Sequence, residues 1–319
     1  MFLSLENINM PSSRIRAYQN AAELNKLGWH CEVNGKHPET ANFVIFQKRF
    51  EGPDQALARR CRGIVIFDQS DPYWLKSWGR IPVEAMARIA RIVTLSTTAQ
   101  VPWFKKRGIK TAVIPNGFDF SIAPKVEKEN KFTICWTGNV NSERFLPMLI
   151  PALKKLSQVI NFNLKIIGAK LPDKFPTNFG TQCQCHFVPW TLSTELAEIA
   201  KCHVGLAPMA LDTWGLQKSA YKPLIYMALG LPAVCSPIPS YLEIISHGQN
   251  GFIAHKNNPE SWYKAFKALA NDKLRLACGQ NARKTAQSFS KEKIAMQWNK
   301  LFLGLCKSKH EHKHEHKHR

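Results

Sequence analysis

The most informative part of this chain is the segment Asp212-Thr-Trp-Gly-Leu-Gln-Lys218-Ser-Ala-Tyr-Lys222-Pro-Leu-Ile-Tyr-Met-Ala-Leu-Gly230-Leu-Pro232. It predicts a loop with charged and aromatic groups, then a short helix that Gly230 and Pro232 end, then a strand over Ala233–Ser236. Lysines at the start of a helix beside a strand end suit phosphate, because helix N–H groups and ammonium charges converge there. In open parallel sheets such a site lies at the C-terminal edge, where nucleotides bind.

Strand and helix patterns alternate along the whole chain, which favours parallel sheets with helices on both faces. The predicted strands are Phe2–Leu5, Phe43–Phe46, Ile64–Phe67, Ile92–Leu95, Ala112–Ile114, Phe132–Thr137, Leu164–Gly168, His186–Val188 and Val204–Ala207. The predicted helices are Ser12–Leu27, Pro53–Arg60, Pro82–Ile89, Thr98–Arg107, Ser142–Leu156, Ser193–Ala200, Ser240–Ser246, Pro259–Asn271, Lys273–Ser288 and Lys291–Leu305. The chain is therefore predicted to be α/β.

The domain organisation follows from composition. Residues 1–120 are predicted to form a first domain and residues 132–290 a second, joined by a polar, aperiodic linker over 121–131. A helix over 291–306 is predicted to cross back to the first domain. Residues 307–319 alternate His with charged residues and are predicted to be a disordered tail or an appended tag.

Composition limits the classes of protein. Hydrophobic residues make up 45% and charged residues 21% of the chain, and no apolar run approaches the roughly 18 residues of a transmembrane helix. The start, Met1–Asn7, predicts a first strand and not a signal peptide. Nine cysteines, an odd count, indicate reduced thiols and a cytoplasmic protein. Cys183-Gln-Cys185-His186 has no second ligand pair at zinc-site spacing, so no metal is predicted.

The net charge of +21 makes a polyanionic partner plausible: an acidic membrane face, an anionic glycan or nucleic acid. No RNA- or DNA-binding motif accompanies the charge, so no nucleic-acid partner is predicted. Arg14 and Arg16 near the start of the first helix oppose its dipole, which indicates a nearby anion. Two solvated arginines are the alternative.

Four segments resemble family-four retaining glycosyltransferases. Lys222, Tyr226, Met227, Ala228, Gly230, Pro232 and Val234 are similar to the donor-binding helix of that family. The segments 12–18, 113–119 and 247–253 resemble, in turn, its first-helix region, its V-I-P-N-G-V-D signature and its D-G-x-N-G-F-L turn. One departure is that the acid that usually holds the donor ribose falls on Ile225.

The resemblance implies a GT-B fold, that is, two Rossmann-like doubly wound parallel-sheet domains facing a cleft. It also implies metal-independent transfer of a sugar, with retention, from a nucleotide-sugar donor to a glycan or lipid-linked acceptor. The nucleotide sugar is then a substrate, and no cofactor is expected. The alternative is a non-catalytic GT-B-like protein that binds a glycan or a partner. Ile225 motivates it, as does the lack of a catalytic histidine in the first half, where only His30 and His37 occur.

Arg144 and Lys222 are the predicted diphosphate-binding residues, with Lys218 as a further candidate. A basic residue after the first glycine loop and a lysine before the donor helix do this work in the family. Gly138 and Asn139 in that first loop are predicted to bind the donor. For Arg144 and Lys218 the alternative is a solvated surface cation.

Aromatic and acidic residues are predicted to complete the donor site. Pro189 and Trp190 match the loop that contacts the donor base, although a buried packing tryptophan is equally common. Asp212 and Trp214 are predicted to face the sugar, with turn capping as the alternative for Asp212. Tyr226 is assigned to the donor site from the helix motif.

Asp68 and Asp71 follow a predicted strand of the first half and lie beside Tyr73 and Trp74. Related enzymes carry an acidic sequence at this point, so either acid is predicted to orient the acceptor hydroxyl or to stabilise the developing cation. A turn-forming role in Ser-Asp-Pro is the competing interpretation.

Two basic–aromatic segments predict contact with an anionic membrane surface. One is Pro102–Gly108, and the other contains Trp74, Lys76, Trp78 and Arg80. Aromatic residues favour the membrane interface, and cations attract anionic head groups. The protein is thus expected to be cytoplasmic and peripheral on the inner membrane face. A solvated helix end with partly packed aromatics is the alternative.

Overall fold

A computed structural model describes residues 1–168, 175–180 and 182–315, with side chains described as far as Lys307 in the last helix. Contacts divide the chain into two compact units: Met1–Gly117 with Phe289–Arg319, and Phe118–Ser288. Each unit contains one parallel sheet. The predicted α/β class is thereby confirmed.

The sheet of the first unit has five parallel strands in the order β1-β2-β3-β4-β5. These are β1 Phe2–Ser4, β2 Phe43–Gln47, β3 Ile64–Gln69, β4 Ile92–Leu95 and β5 Thr111–Val113. Alternate residues of the strands enter separate hydrophobic clusters; Val44 and Phe46 lie in one, Phe43 and Ile45 in the other. Burial on both faces explains why these strands read as continuous apolar runs.

The helices of the first unit are α1 Pro11–Ser13, α2 Gln19–Lys26, α3 Gly52–Arg60, α4 Arg80–Ile89 and α5 Val101–Lys105. A π-helical turn over Arg14–Tyr18 joins α1 to α2. The helix predicted over Ser12–Leu27 therefore contains a wider turn near its start. Arg16 lies in this turn and is only 1% exposed. Such turns occur frequently at functional sites.

The sheet of the second unit has six parallel strands in the order β11-β10-β9-β6-β7-β8. These are β6 Thr133–Gly138, β7 Phe162–Gly168, β8 Cys183–Pro189, β9 Val204–Ala207, β10 Ala233–Cys235 and β11 Gly251–Ile253. The chain begins in the middle at β6, moves outward to β8, and returns to β9 on the other side of β6. The reversal between β6 and β9 is the topological switch point, where such sheets bind ligands beyond their carboxyl ends.

The helices of the second unit are α6 Val140–Glu143, α7 Ile150–Leu156, α8 Glu195–Ala200, α9 Tyr221–Ala228, α10 Pro239–Leu242, α11 Pro259–Leu269 and α12 Asp272–Ala286. The helix predicted over Ser142–Leu156 is interrupted, since a 3-10 turn over Leu146–Leu149 separates α6 from α7. Pro147 and Pro151 explain the interruption, because proline removes a backbone donor.

The sequence predicts an interdomain linker over 121–131, and the structure attaches the end of this segment to the second unit. The Lys128 ammonium donates to the carbonyl oxygens of Ala200 (2.8 Å) and Cys202 (2.7 Å). Glu129 forms an ion pair with Lys165. Residues 125–128 of the segment are nevertheless exposed, so its polar character reflects solvent contact as well as this ion pairing.

The last helix, α13 Lys291–Glu315, belongs to the first unit. Phe302 stacks on Phe43 of β2 with ring centroids 4.6 Å apart, and the Trp29 indole donates to Asn299 at 2.8 Å. The sequence predicts a disordered tail from residue 307, but the structure continues the helix to Glu315. Lysine and glutamate favour helix, and nothing between 305 and 315 breaks one. Residues 316–319 of the predicted tail lie outside the described residues.

Within the described part of the chain, no helix is both long enough and apolar enough to cross a membrane.

Candidate functional site

Helix α9 delivers the candidate residues to the switch point of the second unit. It begins after Ala220 and ends at Leu229, where Gly230 takes a φ of +76° and the Leu231 N–H bonds back to the Tyr226 carbonyl at 2.9 Å. A positive φ favours glycine, so the predicted end of the helix has a clear cause. The face of α9 that contains Leu224 and Met227 is buried.

Tyr226 joins the two strands that flank the switch point. Its hydroxyl accepts from the Thr137 N–H of β6 and donates to the Leu206 carbonyl of β9, both at 3.0 Å. Burial raises the pKa of Tyr226 well above its usual value, so the hydroxyl stays neutral. A Cβ at Gly205 would overlap this ring at 2.1 Å. The sequence assigns Tyr226 to the donor, but the structure places it in the core, where it holds β6 and β9 together.

Lys222 lies one turn before Tyr226, and its ammonium lies 4.7 Å from the ring centroid of Trp136 on β6. Within the described residues, no carboxylate forms an ion pair with it. Desolvation and the nearby charge of Lys218 lower the pKa of Lys222 to about 7, against a smaller opposing effect of Glu195. A half-buried ammonium without an ion-paired carboxylate is costly, which makes this position suited to an anionic ligand.

The first loop of the second unit, after β6, passes very close to Trp136. A Cβ at Gly138 would lie 2.4 Å from the Trp136 ring and 2.6 Å from the Ser142 hydroxyl, so only glycine fits. Asn139 precedes α6, and Ser142 donates to its carbonyl oxygen at 2.9 Å. Arg144 follows α6, is exposed, and has its guanidinium 4.9 Å from the Phe145 ring centroid.

In the loop before α9, the predicted residues Asp212 and Lys218 have different neighbours. The Asp212 carboxylate accepts from the Gly215 N–H at 2.6 Å, so it caps the following turn. This bond matches the capping alternative for Asp212 and occupies one of its two carboxylate oxygens. The Lys218 ammonium lies 5.8 Å from the Trp214 ring centroid, and Ser240 fixes the Lys218 carbonyl at 2.6 Å.

Pro189 ends β8, and Trp190 follows it with a half-exposed indole. The backbone N–H of Trp190 donates to the Gly168 carbonyl at the end of β7, at 2.8 Å. Trp190 therefore lies at the same carboxyl edge of the sheet as Gly138, as the sequence predicts for a residue that contacts the donor base.

Glu195 is a site residue that the sequence reasoning missed. It opens α8, is half-exposed, and accepts from the Thr137 hydroxyl at 2.8 Å. The signal was available, since Glu195 is an acid in the first turn of a helix that follows the Trp190 loop. Ile225, which replaces the family's ribose-binding acid, is only 4% exposed and packs as a core residue.

In the first unit, Asp68 is fully buried. Its two oxygens accept from the Arg16 Nε (2.8 Å) and Nη2 (2.5 Å) and from the Thr94 hydroxyl (2.6 Å). Arg16 also donates to the Ile114 carbonyl at 2.7 Å. For Arg16 the predicted anion is thus Asp68 of the same unit, whereas Arg14 donates to the carbonyl oxygens of Ile8 and Asn9, both at 3.2 Å. The predicted role of Asp68 toward the acceptor is not supported, because both carboxylate oxygens are occupied inside the protein.

Asp71 lies just beyond β3 and forms an ion pair with Lys48. Lys48 also lies 5.7 Å from the Tyr73 ring centroid. The charge of Asp71 helps to raise the pKa of Lys48 although burial opposes this, so the ammonium stays charged. Asp71 is partly exposed, unlike Asp68.

The two basic–aromatic segments are only partly on the surface. Trp74 and Phe104 are buried against each other with centroids 4.8 Å apart, and Arg107 covers Trp103 at 3.8 Å. For these residues the packed alternative is correct. Trp78 is 57% exposed and Ile81 79% exposed.

The comparisons with known proteins agree with the geometry. A family model described as Glycosyl transferases group 1 matches residues 118–285. An uncharacterized glycosyltransferase of Methanocaldococcus jannaschii is 27% identical over 172 residues, which are 52% of this chain and 46% of that protein. One of Haemophilus influenzae is 27% identical over 232 residues, which are 67% of this chain and 61% of that protein. The chain thus matches less than two thirds of the length of each of these curated relatives.

Two solved structures show the fold. HepE of Anabaena in complex with UDP and glucose matches with a TM-score of 0.72 at 15% identity, covering 95% of this chain and 98% of that one. Sucrose-phosphate synthase from Thermosynechococcus elongatus matches with a TM-score of 0.64 at 14% identity, covering 84% and 74%. The predicted GT-B fold with two Rossmann-like domains is confirmed.

Proposed function

The chain belongs to the glycosyl transferases group 1 family, and on this premise we propose that it is a glycosyltransferase. It transfers a sugar from a nucleotide-sugar donor to a glycan or lipid-linked acceptor. One observation supports this most strongly: Lys222 is half-buried beside Trp136 at the switch point and has no carboxylate partner within the described residues.

The chemistry requires positive charge at this place. When the bond between the anomeric carbon and the diphosphate oxygen breaks, the leaving nucleoside diphosphate gains negative charge. A cation that awaits it in a partly desolvated site stabilises that charge, and one such donor contributes about 3 kcal/mol to transition-state stabilisation. In the proposal, Lys222 binds the diphosphate and Arg144 contributes from the exposed loop after β6, with Lys218 as a further cation.

Solved structures favour a particular donor class. HepE of Anabaena is known in complex with UDP-glucose and with UDP and glucose. A nucleoside diphosphate sugar is therefore proposed as the donor here as well. Trp190 contacts the base, and Trp214 contacts the sugar.

Retention and independence of metal are part of the proposal. Retention follows from the resemblance to family-four retaining enzymes. Lys222 and Arg144 supply the positive charge that a divalent cation provides in other transferases, so no metal is required. Asp71 is proposed to orient the acceptor hydroxyl, because it is the partly exposed acid of the predicted pair.

Nucleotide titration with a lysine variant tests the proposal. Isothermal titration with UDP, GDP, ADP and CMP should give a micromolar dissociation constant for at least one of them. Lys222→Met should weaken that binding by about 1.5–3 kcal/mol, the range for a hydrogen bond to a charged group. Lys264→Met is the matched control, because Lys264 is 74% exposed on α11 of the same unit and should not change affinity.

Two results would count against the proposal. The wild-type protein could ignore all four nucleotides, or the two lysine variants could bind alike. Nucleotide binding with neither transfer nor donor hydrolysis, in the presence of crude acceptor lipids, would favour the non-catalytic alternative.

A lipid-linked acceptor would require contact with a membrane, and the proposal places this contact on the first unit. Trp78 and Ile81 are exposed beside the exposed cations Lys76 and Arg80, a combination that suits an anionic interface. A cytoplasmic protein, peripheral on the inner membrane face, is proposed accordingly.

Vesicle sedimentation tests this contact. The wild-type protein should pellet with phosphatidylglycerol vesicles at low salt, and the double variant W78A/I81A should stay in the supernatant. Leu276→Ala is the control, since Leu276 is an exposed apolar residue of α12 in the other unit. If both variants pelleted equally, Trp78 and Ile81 would not form the membrane-binding surface.

A further inference from the structure

The Glu195 carboxylate occupies a distinctive place at the switch point. Its Oε1 accepts from the Thr137 hydroxyl at 2.8 Å, and Thr137 itself is buried at the end of β6. Its other oxygen, Oε2, makes no hydrogen bond within the described residues. The carboxylate is therefore held by one oxygen and presents the other.

Its neighbours place Glu195 between two groups of the proposed donor site. On one side, Trp190 is anchored to the end of β7 through the Gly168 carbonyl. On the other side, Lys222 lies over Trp136 of β6, and the charge of Glu195 acts on it. The order along the carboxyl edge is thus Trp190 at the end of β7, followed by the Glu195 carboxylate and the Lys222 ammonium beside β6.

This order corresponds to the parts of a nucleoside diphosphate. A base suits the aromatic ring, and a diphosphate suits the ammonium, so the group between them is the ribose. Carboxylates bind ribose hydroxyls in nucleotide-binding sheets of this type. Helix α9 cannot supply such a group, because Tyr221–Ala228 contains no acid and Ile225 is buried.

We propose that Glu195 binds the ribose hydroxyls of the donor nucleotide through Oε2, with Thr137 holding the carboxylate in place. The inference rests on the proposed function, because it assumes a nucleotide donor. It assigns to α8 the ribose recognition that α9 does not provide.

The test compares ligands and not only variants. Removing the Glu195 charge also removes its repulsion of the diphosphate, so the absolute affinity of a variant mixes two effects. The ratio of affinities for a ribonucleotide and its deoxy analogue isolates the hydroxyl contact, since both ligands carry the same diphosphate. A variant that merely loosens the fold leaves this ratio unchanged.

Isothermal titration is done with UDP, ADP, GDP and CDP and with the 2′- and 3′-deoxy forms of whichever binds best. The wild-type protein should prefer the ribonucleotide over at least one deoxy form by about tenfold or more, the effect of a hydrogen bond to a charged group. Glu195→Gln and Glu195→Ala should reduce this preference to about threefold or less. Glu260→Gln should retain it, because it removes the same charge from the exposed start of α11.

The outcomes separate the two proposals. If the wild-type protein binds a ribonucleotide but does not distinguish its deoxy forms, the inference is overturned while the proposed function stands. An undiminished preference in both Glu195 variants has the same meaning. If no nucleoside diphosphate binds the wild-type protein, the proposed function itself fails and the inference fails with it.

Discussion

Each unit contains a buried or half-buried charge, and the two charges differ in whether the protein provides an ion-pair partner. In the first unit, the Arg16–Asp68 pair is almost fully withdrawn from water, and every oxygen of Asp68 has a partner. In the second unit, Lys222 is half-buried against Trp136 without any carboxylate partner in the described part of the chain. The charge in the first unit is therefore neutralised within the protein, whereas the ammonium in the second unit has no ion-paired carboxylate among the described residues.

This difference distinguishes a charged residue that stabilises the fold from one that is suited to bind a ligand. A buried charge is tolerated when it is paired and hydrogen-bonded, and removing one partner leaves an uncompensated charge. An unpaired ammonium instead keeps a depressed pKa until an anion arrives. By this criterion Asp68 organises the first unit, while Lys222 awaits a ligand. From sequence alone, both look like candidates for catalysis.

The largest expected effect is on folding. Asp68→Asn should destabilise the protein by about 3–5 kcal/mol, because Arg16 would remain buried without its counter-ion. Urea unfolding at neutral pH, followed by tryptophan fluorescence, measures the loss. At low urea the variant should still bind nucleotide, because the proposed donor residues belong to the other unit.

Glu260→Gln provides the comparison for that measurement. Glu260 pairs with Lys155 and both side chains are 49% exposed, so its loss should cost far less stability than the loss of Asp68. If the two variants lost similar stability, the distinction between a completed buried pair and a surface pair would not hold.

The next effect concerns pH. The pKa of Lys222 is lowered to about 7, so its ammonium loses its proton as the pH rises through neutrality. The charged form binds phosphate, and affinity should therefore fall between pH 7 and pH 8.5, by at most about tenfold per pH unit for one proton. Titration with the best nucleotide at pH 6.5, 7.5 and 8.5 measures this fall.

Lys222→Arg separates the protein's titration from that of the ligand. Arginine stays charged throughout this range, so the variant should show a flatter pH dependence while the nucleotide phosphate titrates as before. Identical pH profiles for the two proteins would mean that Lys222 is not the group that meets the phosphate.

The smallest expected effect is at Arg144. This side chain is exposed, so water and salt screen its interaction with a diphosphate. Arg144→Ala should weaken nucleotide binding by less than about 1 kcal/mol at physiological salt, and by more at low salt. Arg283→Ala on α12 is the matched control, and a loss at Arg144 as large as that at Lys222 would reverse their assigned order.

Much of the fold could be predicted because its signals are local. The strands Ile92–Leu95 and Val204–Ala207 have the bounds that their apolar runs predict. Gly230 marks the end of α9 because a positive φ there requires it. Strand β11, Gly251–Ile253, could not be predicted in this way. Three residues are too few to show a hydrophobic period, so the sequence predicts only a turn there.

The site was less predictable, because side-chain roles depend on distant partners. Tyr226 has the residue type of a binding group, yet its hydroxyl bonds to Thr137 and Leu206 in the core. Asp68 likewise has the type of a catalytic acid, yet its carboxylate bonds to Arg16 and Thr94. An acid in the first turn of α8 is visible in the sequence, but the position of Glu195 beside the site depends on Thr137, 58 positions away.

Periodicity and backbone preference act over a few residues, so the amino-acid sequence is sufficient to predict the alternation of strands and helices, the end of α9 at Gly230 and the lysine at its start. Which charges are paired and which stay available to a ligand depends on the fold. Pairing and desolvation depend on groups that the fold brings together from far along the chain, as it brings Arg16 to Asp68 and Lys222 to Trp136.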